Sequence, residues 1–379
     1  MTTTQTSVVH DLGTLAHRLS HPAGARCVCE PPQVLADRPD GTVVRSGAIV
    51  AKAHAADTDR EALAARIALA AAPQLQGILL PPLTAPRQSL TAPRQSLTAP
   101  RQSLTAPGWS LTAPEPSGGP QHPEPSGDRR PEHAEPSGDR RPEHAEPPAS
   151  DPRPVTLWPL GAPVDPTDPE AAPWAEVAVL LARLHRTEPP FRLPAMRGPA
   201  KAARAVARMR AALPGDPAVP PVLAGWRALP GWARGEVPAP ARRAGFLCHG
   251  DLHLGQLVRH PAPDGPWLLI DVDDAGTGDP AWDLGRPAAW YAAGLLAPED
   301  WFAFLDAYRS AGGPAVPADG DPWPELDVPA RALTVQTAAL ALAKCAAEQR
   351  RPDEHEQLMI ESCARIATLP PELAADHAS

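Results

Sequence analysis

The chain has 379 residues, enough for two subdomains with a hydrophobic core, and 53 of these residues are proline. Its formal net charge of −9 argues against binding to nucleic acid or to an anionic membrane. No run of about 18 apolar residues is present, and the first residues lack the pattern of a signal peptide. The five cysteines are scattered without metal-ligand spacing, which predicts reduced thiols and a cytoplasmic protein, expected to be a monomer.

The first folded part is predicted to be a small sheet that carries one helix. Residues 33–54 read as strands around a Pro-Asp-Gly turn, with the last strand near 47–54. Residues 57–72 have a helical pattern that begins with Asp or Thr as the N-cap. Short apolar runs at 77–83 and 153–161 predict two further strands.

Two tandem repeats lie between these last two strands. Residues 83–114 repeat the unit LTAPRQS, and residues 124–145 contain two copies of EPSGDRRPEHA. Proline in each unit interrupts a helix, and neither unit buries enough apolar surface to offset its ordering entropy. We therefore predict that residues 84–152 form a disordered insertion, with the docking of a partner as an alternative role.

The second part is predicted to be mostly helical, with a β-hairpin set into it. The hairpin is expected to join a strand at 246–251 to a strand at 267–274. Helices are predicted at 174–186, 200–213, 288–296, 300–311, 329–351 and 354–369.

Three oxygen-bearing side chains stand next to the predicted hairpin strands. Asp251 and Gln256 follow the first strand, and Asp271 lies within the second. Two carboxylates that share a partly buried site repel each other, which raises the pKa of at least one of them. A divalent cation removes this repulsion, and such oxygen ligands suit Mg²⁺. The pattern therefore indicates a magnesium-dependent phosphoryl transfer, in which positioning and charge neutralisation provide most of the catalysis.

A cation for the phosphates is also predicted. Lysine is rare in this chain, because only Lys52, Lys201 and Lys344 occur among 35 basic residues. Lys52 lies in the apolar strand GAIVAKAH, and Glu61 follows nine residues later on the predicted helix. A strand lysine that a helix glutamate holds toward phosphates is the arrangement that kinases use.

Here the sequence resembles the aminoglycoside phosphotransferase/choline kinase superfamily of small-molecule kinases. The resemblance rests on HGDLHLGQ at 249–256, on Ile-Asp at 270–271 and on GDPAWDLG at 278–285, in that order. The helix phrase LARLH at 181–185 is also typical of the family. Gln256 departs from the asparagine usual at its position, but it keeps the amide oxygen and adds one methylene of reach.

The resemblance implies an α+β, two-lobed protein-kinase-like fold. An N-terminal segment, 1–19, precedes a small β-rich N-lobe formed by 20–83 and 153–160, and the helical C-lobe spans 161–379. ATP is expected to lie between the lobes.

The resemblance also implies the roles of individual residues. Asp251 is expected to orient and deprotonate the acceptor hydroxyl. Gln256 and Asp271 are expected to hold Mg²⁺, while Lys52, held by Glu61, positions the phosphates of ATP.

Further contacts are implied around the nucleotide and the acceptor. Main-chain carbonyls near Trp158 and Leu160 are expected to face the adenine, and the turn at 37–42 is a candidate cover for the phosphates. His253 is a candidate for contact with the acceptor, with packing against the loop as its alternative. Asp273 is a candidate for contact with substrate or, through water, with the metal, and a solvated position beside Asp271 is its alternative.

Other polar residues of the motifs have structural interpretations. Asp283 is expected to hold the catalytic loop by hydrogen bonds, His249 to anchor that loop, and His185 to cap or stabilise its helix. Asp274 is a solvated neighbour of Asp271 or a group that contacts the metal through water.

The acceptor stays open at this stage. Aminoglycosides, other antibiotics, sugars and amino alcohols all occur among relatives, and a cationic acceptor requires acidic side chains in the C-lobe cleft. The alternative class is a catalytically degenerate kinase-like protein that acts as a nucleotide-binding switch or a scaffold.

Overall fold

A four-stranded antiparallel sheet forms the N-terminal lobe, with its strands in sequence order across the sheet. The computed structural model describes residues 3–21, 30–38, 40–83, 153–240 and 243–369, so the predicted insertion at 84–152 lies outside the described residues. The strands are β1 (Gln33–Arg38), β2 (Gly41–Ser46), β3 (Ile49–His54) and β4 (Val155–Pro159).

Helix α1 (Thr3–Ser20) packs on this sheet and was not among the predicted elements. Leu12 and Ala16 are fully buried in one cluster with Val44 and Ala51 of the sheet. Burial of a leucine side chain contributes roughly 1.5–3 kcal/mol. The threonines at the start of α1 and Gly13 within it have low helix propensity, which conceals the apolar period from sequence reasoning.

Helix α2 (Arg60–Ala70) begins where the sequence places it. The side chain of Asp59 accepts hydrogen bonds from the backbone N–H groups of Glu61 and Ala62, as an N-cap does. The predicted strand at 77–83 is wrong, because this segment forms only isolated bridges after a 3₁₀ turn at Pro73–Leu75. Two consecutive prolines within it, at positions 81 and 82, lack the N–H groups that a ladder needs.

The predicted hairpin between 246–251 and 267–274 is also wrong in its pairing. Strand β6 (Phe246–Cys248) pairs with β9 (Gly276–Gly278), whereas β7 (Leu257–Arg259) pairs with β8 (Trp267–Leu269). The β7–β8 pair is nested inside the β6–β9 pair, and β7 also pairs with the short strand β5 (Ala162–Pro163). Because of this nesting, the residues that follow β6 lie close to the residues that follow β8.

The rest of the C-terminal lobe is helical. Its helices are α3 (Trp174–Arg186), α4 (Gly198–Ala212), α5 (Val219–Ala228), α6 (Ala281–Ala293), α7 (Pro298–Ser310), α8 (Trp323–Glu348) and α9 (Glu354–Ile366). Large buried side chains such as Trp282, Trp301 and Phe304 fill the core of this lobe.

Helix α5 lies in a proline-rich stretch and was not among the predicted elements. Its two prolines, at positions 220 and 221, stand in the first turn, where the missing N–H groups have no helical partner to lose. No helix within the described residues is both long and apolar enough to cross a membrane. The predicted α+β fold, with a small sheet-rich lobe followed by a helical lobe, is confirmed.

Candidate active site

The loop after β6 holds Asp251, the residue predicted to be catalytic. Gly250, just before it, has a φ of 85°, a left-handed conformation that favours glycine. Asp283, in the first turn of α6, accepts hydrogen bonds from the backbone N–H groups of His249 (2.6 Å) and Gly250 (2.7 Å). The loop is therefore fixed by one buried carboxylate, as predicted for Asp283.

A second layer of hydrogen bonds supports Asp283. His185 Nε2 lies 3.0 Å from the carboxylate of Asp283, and His185 Nδ1 lies 2.8 Å from the hydroxyl of Tyr308. His185, Cys248 and Asp283 are close enough to suggest a metal site. Both nitrogens of His185 and both oxygens of Asp283 already have protein partners, and burial raises the pKa of the Cys248 thiol. This cluster is therefore structural, as predicted for His185.

His249 is fully buried, and its Nε2 lies 2.8 Å from the carbonyl oxygen of Ile270. Since a carbonyl only accepts, Nε2 carries the proton and donates it. This bond ties the catalytic loop to the end of β8 and agrees with the predicted anchoring role.

We expect Gly250→Ala to lower the stability of the fold by about 1–3 kcal/mol and to reduce activity. The added Cβ meets the main-chain carbonyl of Asp274 and also requires an unfavourable φ. Chemical denaturation measures the change. Gly294→Ala is the matched control, because Gly294 has a φ of 79° but open space around its Cβ position. Equal losses in the two variants would contradict a specific contact at Gly250.

The predicted metal ligands come from neighbouring segments of the β7–β8 pair. The N–H group of Ile270 donates to the carbonyl oxygen of Gln256 at 2.9 Å. Asp271 is the residue directly after Ile270, so its backbone lies beside that of Gln256. Asp271 itself has a φ of 60°, a conformation uncommon for a residue with a side chain. Gln256 is buried. The sequence therefore brought together the correct pair of segments, although it assigned the strand pairing incorrectly.

Lys52 on β3 extends toward the turn that follows β8. Its Nζ lies 2.7 Å from the carboxylate of Asp271 and 2.9 Å from that of Asp273. Burial by itself lowers the pKa of Lys52, but the two carboxylates outweigh burial and raise the pKa above its usual value. Lys52 is therefore a firmly charged ammonium group in contact with the predicted metal ligand.

Glu61 does not pair with Lys52, so the predicted ion pair between them is wrong. Glu61 is exposed in the first turn of α2, and the partners of Lys52 are carboxylates of the C-terminal lobe. The α2 residue that turns toward the site is Arg66, whose Nε donates to the carbonyl oxygen of Ala275 at 2.7 Å. The helical period decides this, since Arg66 lies on the buried side with Leu63 and Ile67.

Asp273 is joined to the sheet by a hydrogen-bonded chain. His54 Nδ1 lies 3.0 Å from the Asp273 carboxylate, and His54 Nε2 lies 2.9 Å from the hydroxyl of Thr156. The indole N–H of Trp158 donates to the same hydroxyl at 3.0 Å. Burial raises the pKa of Asp273, but Lys52 and then His54 outweigh this effect and lower it far below its ordinary value. Asp273 is thus an ionised group with its partners inside the protein.

The expected adenine-facing segment lies at the end of β4. Trp158 is buried and uses its indole N–H within the sheet. The N–H group of Leu160 donates to Ala48 at 2.8 Å, and its carbonyl oxygen lies 3.2 Å from His260 Nδ1. Leu160 thus has partners for both main-chain groups, and its contact with adenine stays a prediction. In the turn at 37–42, the hydroxyl of Thr42 donates to Asp37, so its cover role also stays a prediction.

Two cations flank Asp251, and sequence reasoning did not predict either of them. Lys201 Nζ on α4 lies 2.5 Å from one oxygen, and Arg286 on α6 lies 2.8 Å from the other. Burial raises the pKa of Asp251, but Lys201 and Arg286 outweigh this effect and lower it. The rarity of lysine was the signal that could have identified Lys201, because two of the three lysines contact this site.

Lys201 also connects the catalytic loop to the turn after β8. Its Nζ lies 2.8 Å from the carboxylate of Asp274, which lies 3.6 Å from the guanidinium of Arg197. Asp274 is therefore mostly buried and paired, and the predicted solvated position is wrong.

His253 is held close to the catalytic loop in a neutral form. Burial lowers the pKa of His253 to about 4, so the imidazole is uncharged at neutral pH. Its Nδ1 accepts a hydrogen bond from the N–H group of Gly255 at 3.1 Å, so the proton lies on Nε2. The Nε2–H group can therefore donate to a ligand, which keeps the predicted contact with the acceptor open.

The charged cluster lies apart from two cavities of the described residues. A cavity of about 500 Å³ lies among residues of α8, α9 and the segment after α4, and one of about 470 Å³ borders α3 and β8. No residue of the charged cluster lines either cavity. The candidate site is therefore defined by the charged side chains around Asp251 and the turn after β8, and not by a cavity.

The two-lobed fold and this cluster define a kinase-like phosphotransferase. The model of the phosphotransferase enzyme family matches residues 143–326, which contain all the motifs of the predicted catalytic segment. The resemblance predicted from the sequence and the predicted enzyme class, a phosphotransferase, are both confirmed. The comparison with curated proteins found no match.

Solved structures of similar proteins include three enzymes that share little sequence with this chain. Aminoglycoside phosphotransferase APH(4)-Ia has 10% identity and a TM-score of 0.51, with 97% of this chain and 98% of that chain covered. A choline/ethanolamine kinase family protein from Mesorhizobium loti has 16% identity and a TM-score of 0.49, with 99% of each chain covered. Macrolide 2′-phosphotransferase MphH from Brachybacterium faecium has 15% identity and a TM-score of 0.42, with 96% and 99% covered. The first of these supports the fold.

Proposed function

We propose that this protein transfers the γ-phosphoryl group of ATP to a hydroxyl group of a small molecule. The observation that carries the proposal is that Lys52 contacts Asp271 in the turn after β8, while Lys201 joins Asp274 of the same turn to Asp251. Their chemistry is that of phosphoryl transfer, in which positioning and neutralisation of charge provide most of the catalysis.

In the proposed reaction the acceptor oxygen forms a bond to the γ-phosphorus, and the bond to the bridging oxygen of ADP breaks. The hydroxyl proton passes to Asp251 and then to solvent. The lowered pKa of Asp251 makes it a weak base, so its main role is to orient the hydroxyl. A loose transition state requires proton removal only late in the transfer, which suits such a base.

The donor set fits Mg²⁺. Asp271 offers a carboxylate and Gln256 an amide oxygen, which are hard ligands of the kind that Mg²⁺ takes alongside water and phosphate. When bound, the ion would neutralise charge on the β- and γ-phosphates. Lys52 contacts Asp271 and contributes a further cation for the phosphates, without the predicted help of Glu61.

The second candidate function is a nucleotide-binding switch or scaffold without catalysis. The lowered pKa of Asp251 and its engagement by two cations make it a less typical base, which favours this alternative. The presence of Lys52, Asp251 and Asp271 in one cluster supports the enzyme instead. The cytoplasmic location and the monomeric state stay predictions.

The proposed function predicts a product that is 80 Da heavier than one member of a mixed pool of hydroxyl compounds. We would incubate the protein with Mg·ATP and aminoglycosides, macrolides, sugars, amino alcohols, sugar phosphates and hydroxy acids, and detect products by mass spectrometry. Asp251→Asn is expected to lower the rate by about 10²–10⁴-fold, the usual contribution of a positioned acid–base group. Equal rates in the two proteins would contradict the role of Asp251, and nucleotide binding without any product would favour the switch.

A further inference from the structure

One face of α4 carries a row of basic side chains. Arg197 stands just before the helix, and Lys201, Arg204 and Arg208 follow at offsets of four, seven and eleven residues. These offsets place all four on the same side of a helix. Lys201 contacts Asp251, so this row, which we call the basic face of α4, begins at the predicted catalytic residue.

The carboxylates of the site are already paired with cations of the protein. Asp251 contacts Lys201 and Arg286, Asp271 contacts Lys52, Asp273 contacts Lys52 and His54, and Asp274 contacts Lys201 and Arg197. A cationic acceptor needs carboxylates that are available to it. Two other acidic residues of the C-terminal lobe are also engaged, since Glu325 pairs with Arg243 and Asp327 with Arg331.

The basic face, in contrast, has cations in excess. Arg204 and Arg208 are exposed and form no ion pair with a described residue. Partial burial and then the like charge of Arg197 lower the pKa of Arg204, and burial and Arg197 also lower the pKa of Arg66 on α2, with Asp274 opposing the shift in both. The charge of Arg197 therefore acts both on Arg204, two turns along the same face of α4, and on Arg66 of α2. Like charges held close together are stabilised by an anion that binds between them.

We infer that the acceptor of the proposed reaction carries an anionic group, a phosphate or a carboxylate, that binds to Arg204 and Arg197 on the basic face of α4. Arginine suits such groups because its planar fork donates two hydrogen bonds to them. The acceptor hydroxyl then lies toward Asp251, one helical turn along the same face. This inference rests on the proposed function for the identity of the ligand as an acceptor, but the anion site itself does not require catalysis.

Inorganic phosphate is the probe for this site, because it presents the anion that the acceptor is inferred to carry. The phosphates of ATP present the same anion, so the titration must distinguish the two sources. We would titrate the protein with phosphate by calorimetry, first alone and then with saturating Mg·ADP. We expect saturable binding that persists with Mg·ADP present and that weakens at least 10-fold in Arg204→Gln. Arg210→Gln is the matched control, because Arg210 is an exposed arginine on the opposite side of α4.

Each other outcome of the titration overturns the inference. Absence of phosphate binding would leave no anion site, and loss of binding with Mg·ADP would assign the site to the nucleotide. Equal weakening by Arg204→Gln and Arg210→Gln would show a general effect of charge. These outcomes do not depend on turnover, so they are distinct from a failure of the proposed function.

The product screen provides a second test when its acceptors are divided by charge into cationic, neutral and anionic sets. We expect product in the anionic set, with a KM for the acceptor that rises at least 10-fold in Arg204→Gln while the KM for ATP is unchanged. Product confined to choline, aminoglycosides or neutral sugars would overturn the inference and still support the proposed function.

Discussion

Asp271→Asn is expected to abolish Mg·ATP-dependent transfer, with a loss on the order of 10³-fold or more, as for other groups that stabilise transition-state charge. The substitution removes the negative charge that both Mg²⁺ and Lys52 require at this position. The fold is expected to survive, because Lys52 keeps its contact with Asp273, so its charge is not left without a partner. A coupled assay of ADP release with the acceptor found in the product screen measures the rate, and thermal denaturation measures the fold.

Asp264→Asn is the matched control for this substitution. Asp264 lies in the exposed connection between β7 and β8. The substitution Asp264→Asn therefore removes one negative charge from the same hairpin but leaves the site unchanged. We expect it to leave the rate within about twofold, since surface substitutions of this kind have small effects. Retained activity in Asp271→Asn would exclude this residue as a metal ligand.

Asp283→Ala is expected to destabilise the fold by about 3–5 kcal/mol, the usual cost of breaking a buried ionic or charge-assisted pair. The substitution leaves the N–H groups of His249 and Gly250 and the ring of His185 without their acceptor in the core. The catalytic loop would lose the bonds that fix its backbone, so activity is expected to fall as well. Denaturant titration measures the change in the free energy of unfolding.

Asp306→Ala provides the comparison for Asp283→Ala. Asp306 lies on the exposed side of α7, and we expect its loss to change the free energy of unfolding by less than about 0.5 kcal/mol. Asp283→Asn separates charge from hydrogen bonding, because it keeps one acceptor oxygen. A free energy of unfolding for Asp283→Ala within 1 kcal/mol of the parent protein would show that the loop is held in another way.

The motif residues could be predicted because their chemistry depends on short spacings. Asp251 and Gln256 lie in one loop, and Asp271 follows an apolar strand whose end is bonded to Gln256 through the N–H group of Ile270. The choice of Lys52 rested on a similar local fact, since a charged residue within an apolar strand needs a partner. Each of these inferences used residues within about 25 positions of one another or the burial of one side chain.

The partners of the charged groups could not be predicted in the same way. Lys201 precedes Asp251 by 50 residues, and Arg286 follows it by 35. Glu61 has the right residue type for a partner of Lys52, but the phase of α2 directs Arg66 toward the site instead. A helical pattern assigns faces only after it is known what the helix packs against.

The sequence by itself determined which chemical groups this protein has and in what order they occur along the catalytic segment. It also determined the class of fold, because alternation, helical period and turn residues are local properties of the chain. Only the tertiary structure decided that β6 pairs with β9, and that Lys52 and Lys201 each bridge two carboxylates. The physical reason is that strand pairing and ion pairing are selected by burial across the whole chain, where a charge excluded from water takes the nearest opposite charge that packing provides.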